Sequence, residues 1–176
     1  MASTPLNLGF LTILHEGNGY LGGYLVTNAW GRPLEFRLSS AVQPNKVQQI
    51  LYAATLVPYI CGDLIGKALV DKAAVPVGFV LTTCEQAIDL RHKVDCPVVW
   101  VVEPTHPRAG EECAVPLPHG RGALLCHPKY PADVQAVRDL LGGLDGIPDL
   151  TEPFARVKEA IAEARKLGVT GGRAAA

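Results

Sequence analysis

Residues 19–40 read GYLGGYLVTNAWGRPLEFRLSS, and this stretch decides the fold. Residues 20–27 are rich in aromatic and β-branched side chains, as a strand requires. Asn28-Ala29-Trp30-Gly31 reads as a turn, because Asn and Gly accept positive φ. Residues 33–39 then alternate, with Leu34, Phe36 and Leu38 on one face and Glu35 and Arg37 on the other. The alternation predicts a strand whose Leu/Phe face is buried and whose charged pair is exposed. Gly22-Gly23, inside the preceding strand, predicts a bulge or a close backbone approach.

Working outward, residues 10–15 predict an earlier strand, joined through the turn Glu16-Gly17-Asn18-Gly19. Three strands with short turns make an antiparallel meander. After it the periodicity changes. Pro44 opens a helical region in which Val47, Ile50, Leu51 and Ala54 keep helical spacing and are expected to point inward. Pro58 is expected to kink or split it, with Ile60, Leu64, Ile65 and Leu69 on the apolar face of a second helix over 59–72. Residues 77–81 and 97–102 are continuous apolar runs, the pattern of strands covered on both faces. Between them, Thr83 and Gln86 have capping-box spacing at the head of a short helix.

Residues 103–122 hold four prolines and two histidines without any period, so they read as a long loop or flap. A short edge strand over 123–127 and an amphipathic helix over 132–141 follow. Thr151 is expected to cap a last helix carrying Phe154, Val157, Ile161 and Ala164 on one stripe, and the tail VTGGRAAA is expected to fray. These elements divide the chain into an α/β domain over 1–143 and a linker, accessory helix and tail over 144–176.

With 176 residues, 48% of them hydrophobic, the chain can bury a sizeable core and is not disordered as a whole. Sixteen Lys and Arg against seventeen Asp and Glu give a net charge of −1. That balance argues against bulk binding to nucleic acid or to anionic membranes. The N-terminal residues lack the basic start of a signal peptide, and no run reaches the roughly 18–20 apolar residues of a membrane span. Five cysteines, at 61, 84, 96, 113 and 126, suit reduced thiols in a cytoplasmic protein better than a disulfide framework.

The element order is three antiparallel strands, then βα units in a mixed sheet, then C-terminal helices. Over residues 8–141 this order resembles the ribonuclease H-like topology. The resemblance implies an acidic cluster holding two Mg²⁺ ions, with an Asp inside the first strand. That strand here reads FLTILH and has no acid. The carboxylates that the order brings toward one sheet edge are Glu16, Glu85 and Glu103.

Cys84 follows a buried strand and begins a helix, where backbone N–H groups and the helix dipole favour a thiolate. Ligands gather at the carboxyl ends of parallel strands, which makes Thr82, Thr83 and Cys84 the candidate ligand-binding residues. The catalytic candidates are Cys84, Glu85, Glu103 and Glu16. For zinc, Cys113 with Cys126 and the histidines of the 103–122 segment is the best set, drawn from Cys84, His92, Cys96, His106, Cys113, His119, Cys126 and His127. No paired short spacing supports it, so neither a metal nor another cofactor is expected. Gly17, Gly19, Gly22 and Gly23 lie between antiparallel strands and make no phosphate loop.

The leading expectation is a cytoplasmic domain that binds a small molecule or a protein partner without a catalytic motif. It makes no bulk contact with nucleic acid or membrane, and homo-oligomers are compatible with it. The alternative is a divergent metal-dependent hydrolase or nuclease on a ribonuclease H-like scaffold, using a divalent cation. A third reading is a thiol enzyme built on Cys84.

Overall fold

The computed structural model describes residues 4–17 and 19–168. Asn18, in the first predicted turn, and the predicted frayed tail at 169–176 lie outside the described residues. Seven strands form one mixed sheet: β1 (Asn7–Glu16), β2 (Gly19–Asn28), β3 (Pro33–Leu38), β4 (Phe79–Thr82), β5 (Val98–Val102), β6 (Ala114–Pro116) and β7 (Ala123–Cys126). Their spatial order is β3-β2-β1-β4-β5-β7-β6. The β1–β2–β3 meander is antiparallel, β4 and β5 run parallel to β1, and β7 and β6 return antiparallel. This is a ribonuclease H-like sheet extended by two strands.

Helices cover both faces. One face carries α1 (Lys46–Lys72) and a 3-10 helix, Glu85–Lys93. Its core contains Leu11, Tyr24, Val80 and Val98 under Ile60, Ile65, Leu69 and Leu90. The other carries α2 (Ala132–Gly142) and α3 (Glu152–Lys166), over Leu8, Phe10, Phe79, Leu81 and Val99. In α3, Phe154, Val157 and Ile161 are buried, and Phe154 meets Phe10 edge-on with ring centroids 5.4 Å apart.

The glycine pair explains how both layers reach β2. A Cβ on Gly22 would collide with Ile65 of α1, and one on Gly23 would lie 2.8 Å from Ile161 and Val157 of α3. The pair is therefore a close approach, and the register shift in this hairpin falls at Val26/Thr27 instead.

Four local expectations are corrected. Val47, Ile50, Leu51 and Ala54 are exposed. Ala53 takes φ 47 and breaks the helical path, so the first two turns of α1 leave the core, while Leu56, Ile60 and Ile65 enter it. By length and composition α1 is apolar enough to cross a bilayer. Its second half is instead a core helix. Leu34 is exposed and Glu35 is buried, because β3 is the sheet's edge and the segment that follows α1 lies against Glu35. The Glu35 carboxylate accepts the backbone N–H groups of Ala74 and Val75 and the Arg37 guanidinium.

The segment 103–122 contains a strand, β6, which takes the edge position expected for β7. Thr83 makes no capping box: Cys84 is the N-cap residue, and its N–H donates to Thr82 Oγ1 at 3.1 Å.

Candidate functional site

The parallel pairing of β1 with β4 sets Leu11 beside Thr82, both facing α1. Thr12 pairs with Gly23, on the face that α3 covers. Its hydroxyl is buried without a partner, and it does not converge with Thr82. The middle of the sheet therefore brings a leucine and two divergent threonines to the place where the resemblance implies acids.

The three carboxylates are also separate. Glu16 is ion-paired with Arg165 of α3, Glu85 lies 3.4 Å from Arg108, and Glu103 is exposed beyond β5. Among the described residues, only Asp89, His92 and His127 form a group of three metal-ligating side chains within 4.8 Å of one another. The residues at the sheet's carboxyl ends do not fit a two-Mg²⁺ acidic centre.

What assembles there is a thiol pair. Thr82 is fully buried, Thr83 is exposed and Cys84 is half-buried. Cys61, buried in a π-helical turn of α1, hydrogen-bonds Cys84. That bond holds the Cys84 thiol down at about 7 against the opposing effect of burial, with help from the backbone N–H groups of Ala87 and Gln86. Cys61 is pushed up correspondingly, because it is the donor of the pair. When protonated, the Cys84 thiol lies 3.6 Å from Gln86 Oε1. Tyr20 sits close enough that both thiols add to the rise burial causes in its phenol, and its ring stacks on His15 at 4.2 Å. Cys61 and Tyr20 carry no sequence signal as site residues. Only the packing of α1 over the β1–β2 hairpin brings them to Cys84.

The zinc set built on Cys113 and Cys126 does not form. Cys126 Sγ is buried in the core, Cys113 Sγ donates to Glu111 at 3.5 Å, and His106 packs edge-on against Trp100 at 4.9 Å. His92 and His127 come together elsewhere, next to the start of β5, where Cys126 of β7 pairs with Val99. Their rings meet at 4.5 Å, and Asp89 Oδ1 lies 3.3 Å from His127 Nε2. Burial pushes the His127 imidazole below its ordinary value; His92 adds to this and Asp89 opposes it. Beside them, Arg91 forms a double hydrogen bond with buried Asp133 and lies 4.0 Å over the Tyr130 ring.

No family profile matches the sequence, and no curated protein matches it. Solved structures do match. An Endonuclease V from Ciona intestinalis, crystallised with a 23mer DNA containing an inosine followed by a ribo-adenosine, superposes with a TM-score of 0.53 at 10% identity. The match covers 94% of this chain and 88% of that one. Endonuclease V from Bacillus subtilis matches with a TM-score of 0.50 at 9% identity, over 92% of this chain and 81% of that one. Two expectations are corrected by these likenesses. The two matched structures are endonucleases, which overturns the expectation of a ligand- or partner-binding domain without a catalytic motif. The expectation of no bulk nucleic-acid binding is corrected as well, because one of them was crystallised on DNA. Net charge is a poor guide here, since contact with a phosphate backbone depends on where cations and N–H donors sit rather than on their sum. The chain has the ribonuclease H-like fold shared with Endonuclease V.

Proposed function

We propose that this chain acts on nucleic acid as a divergent nuclease on the ribonuclease H-like scaffold. The observation that carries the reading is the superposition, over nearly the whole chain, on a nuclease crystallised with DNA. The proposed working region is the carboxyl end of β1 and β4, with Thr82, Thr83, Cys84 and Glu85, where open α/β sheets place their ligands. Arg108, beside Glu85, supplies a guanidinium donor for a phosphate. No step runs through a pair of magnesium ions, because these residues do not build that centre.

A second reading is supported by the Cys61–Cys84 pair: a thiol enzyme in which Cys84 is the nucleophile and Cys61 its hydrogen-bond donor. Anisotropy titrations with single- and double-stranded DNA and RNA, including inosine-containing DNA, would test the nuclease reading, followed by cleavage assays with chelator and with added divalent cations. The expected result is salt-dependent binding and cleavage that falls in Cys84→Ala and Arg108→Ala. Absence of binding, or cleavage indifferent to both substitutions, overturns it.

A further inference from the structure

We propose that Asp89, His92 and His127 form a binding site for one divalent transition-metal cation of the zinc class, apart from the carboxyl-end region. The inference does not rest on the nuclease reading.

The local geometry follows from the secondary structure. Asp89 and His92 are three residues apart on the 3-10 helix Glu85–Lys93. Three residues per turn set positions i and i+3 over each other, so both side chains leave the same face. His127 comes from the residue after β7 and is held in the wall of the protein, 5% exposed. All three ligand atoms lie within 4.8 Å of one another.

A tetrahedral ion with bonds of about 2.0–2.2 Å to nitrogen and oxygen requires its ligand atoms to stand about 3.3–3.5 Å apart. Asp89 Oδ1 and His127 Nε2 stand at 3.3 Å. His92 is exposed, so a small rotation closes the remaining edge. Its Nδ1 is 2.9 Å from the Tyr130 hydroxyl, which leaves Nε2 as the ligand nitrogen. Such an outer partner is what orients a metal-binding imidazole. Tyr130 is itself fixed beneath Arg91. Two imidazoles and one carboxylate select a borderline cation over Mg²⁺ or Ca²⁺, which prefer all-oxygen sets. Three protein ligands leave a fourth position for water or substrate.

The Lys129 N–H donates to His127 Nδ1 at 3.1 Å, which places the ring proton on Nε2, facing Asp89. Metal on Nε2 requires that proton to leave and one to be held on Nδ1. The ring stays neutral, and the Lys129 amide loses its acceptor. This gives a signature particular to the site.

The test is titration of the full chain with Co²⁺ and Zn²⁺, followed by calorimetry and visible spectroscopy. One equivalent should bind, giving tetrahedral Co²⁺ bands without a thiolate charge-transfer band. Zn²⁺ should displace the Co²⁺, and the Lys129 amide resonance should move on loading. His92→Ala and Asp89→Asn lie at the surface and leave the core intact; each should weaken binding by more than about tenfold, and Tyr130→Phe by about tenfold or more. Failure to bind at one equivalent overturns the proposal. So does a thiolate band that survives both ligand substitutions, since the ion would then sit on cysteines, and so does a Lys129 amide that stays put on loading.

Discussion

Replacing Cys61 by alanine should slow the reaction of Cys84, a residue on a different element, and the size of the change can be worked out. A thiol held at about 7 is about half thiolate at neutral pH, against about 1% for one at the ordinary 9.0. That is an advantage of about fiftyfold in thiolate. A less basic thiolate is also a weaker nucleophile, and a Brønsted slope of about 0.4–0.5 over two pH units takes back about eightfold. Cys84 should therefore react about sixfold faster than an ordinary thiol of equal access. The Cys61 hydrogen bond is the largest cause of the lowered value, while the amides of Ala87 and Gln86 remain in the variant. Cys61→Ala should remove most of the advantage and move the midpoint of the rate–pH profile upward, toward 9.0. Cys61→Ser keeps a donor and should keep the low midpoint. The assay is timed, substoichiometric treatment with methyl methanethiosulfonate across pH, with mass spectrometry to rank the five cysteines. A Cys84 midpoint near 9.0, or one indifferent to Cys61→Ala, would refute the reasoning. A Cys84 that stays unmodified in the folded chain would make it a core thiol and end the thiol-enzyme reading.

Glu35→Gln should cost about 1–3 kcal/mol at neutral pH, measured by urea unfolding, since the charged acceptor of two backbone amides is lost from a buried side chain. Burial pushes the Glu35 carboxyl up, but the Val75 and Ala74 amides and Arg37 outweigh it and hold it below the usual range. Its stabilisation is thus complete above the ordinary carboxylate range and is lost as pH falls through the lowered value. The variant should show a shallower acid-side loss of stability, and equal slopes would contradict this account. Phe154→Ala removes a ring that is 4% exposed and packed on Phe10, and should destabilise by about 3–5 kcal/mol in chemical denaturation. A cost under about 1 kcal/mol would show that α3 contributes little to the core. Gly23→Val should lower the thermal midpoint more than Thr27→Val on the same strand, because any Cβ at 23 meets Ile161 and Val157 at 2.8 Å. An unchanged midpoint would mean that α3 can lift off β2 without cost.

The sequence by itself determined the meander, the parallel strands and the covering helices, since these rest on local periodicity. Strands within 33–39, 77–81 and 97–102 and the buried Phe154/Val157/Ile161 stripe follow from the patterns in the chain. It also determined that residues 10–15, the strand it predicts first, hold no acid. Only the tertiary structure decided which side of each element is covered. Val47, Ile50 and Leu51 keep helical spacing yet face solvent, because one positive φ at Ala53 turns two helical turns away from the core. Glu35 is buried because the segment after α1, Ala74-Val75, returns over an edge strand with two N–H groups to satisfy. Likewise, the proximity of Cys61 to Cys84, and of Asp89 and His92 to His127, comes from packing between residues 23 to 38 positions apart. Periodicity records which face of an element is apolar, but a site needs two elements placed to within a few tenths of an ångström, and that placement is set by side chains packing across the whole sheet.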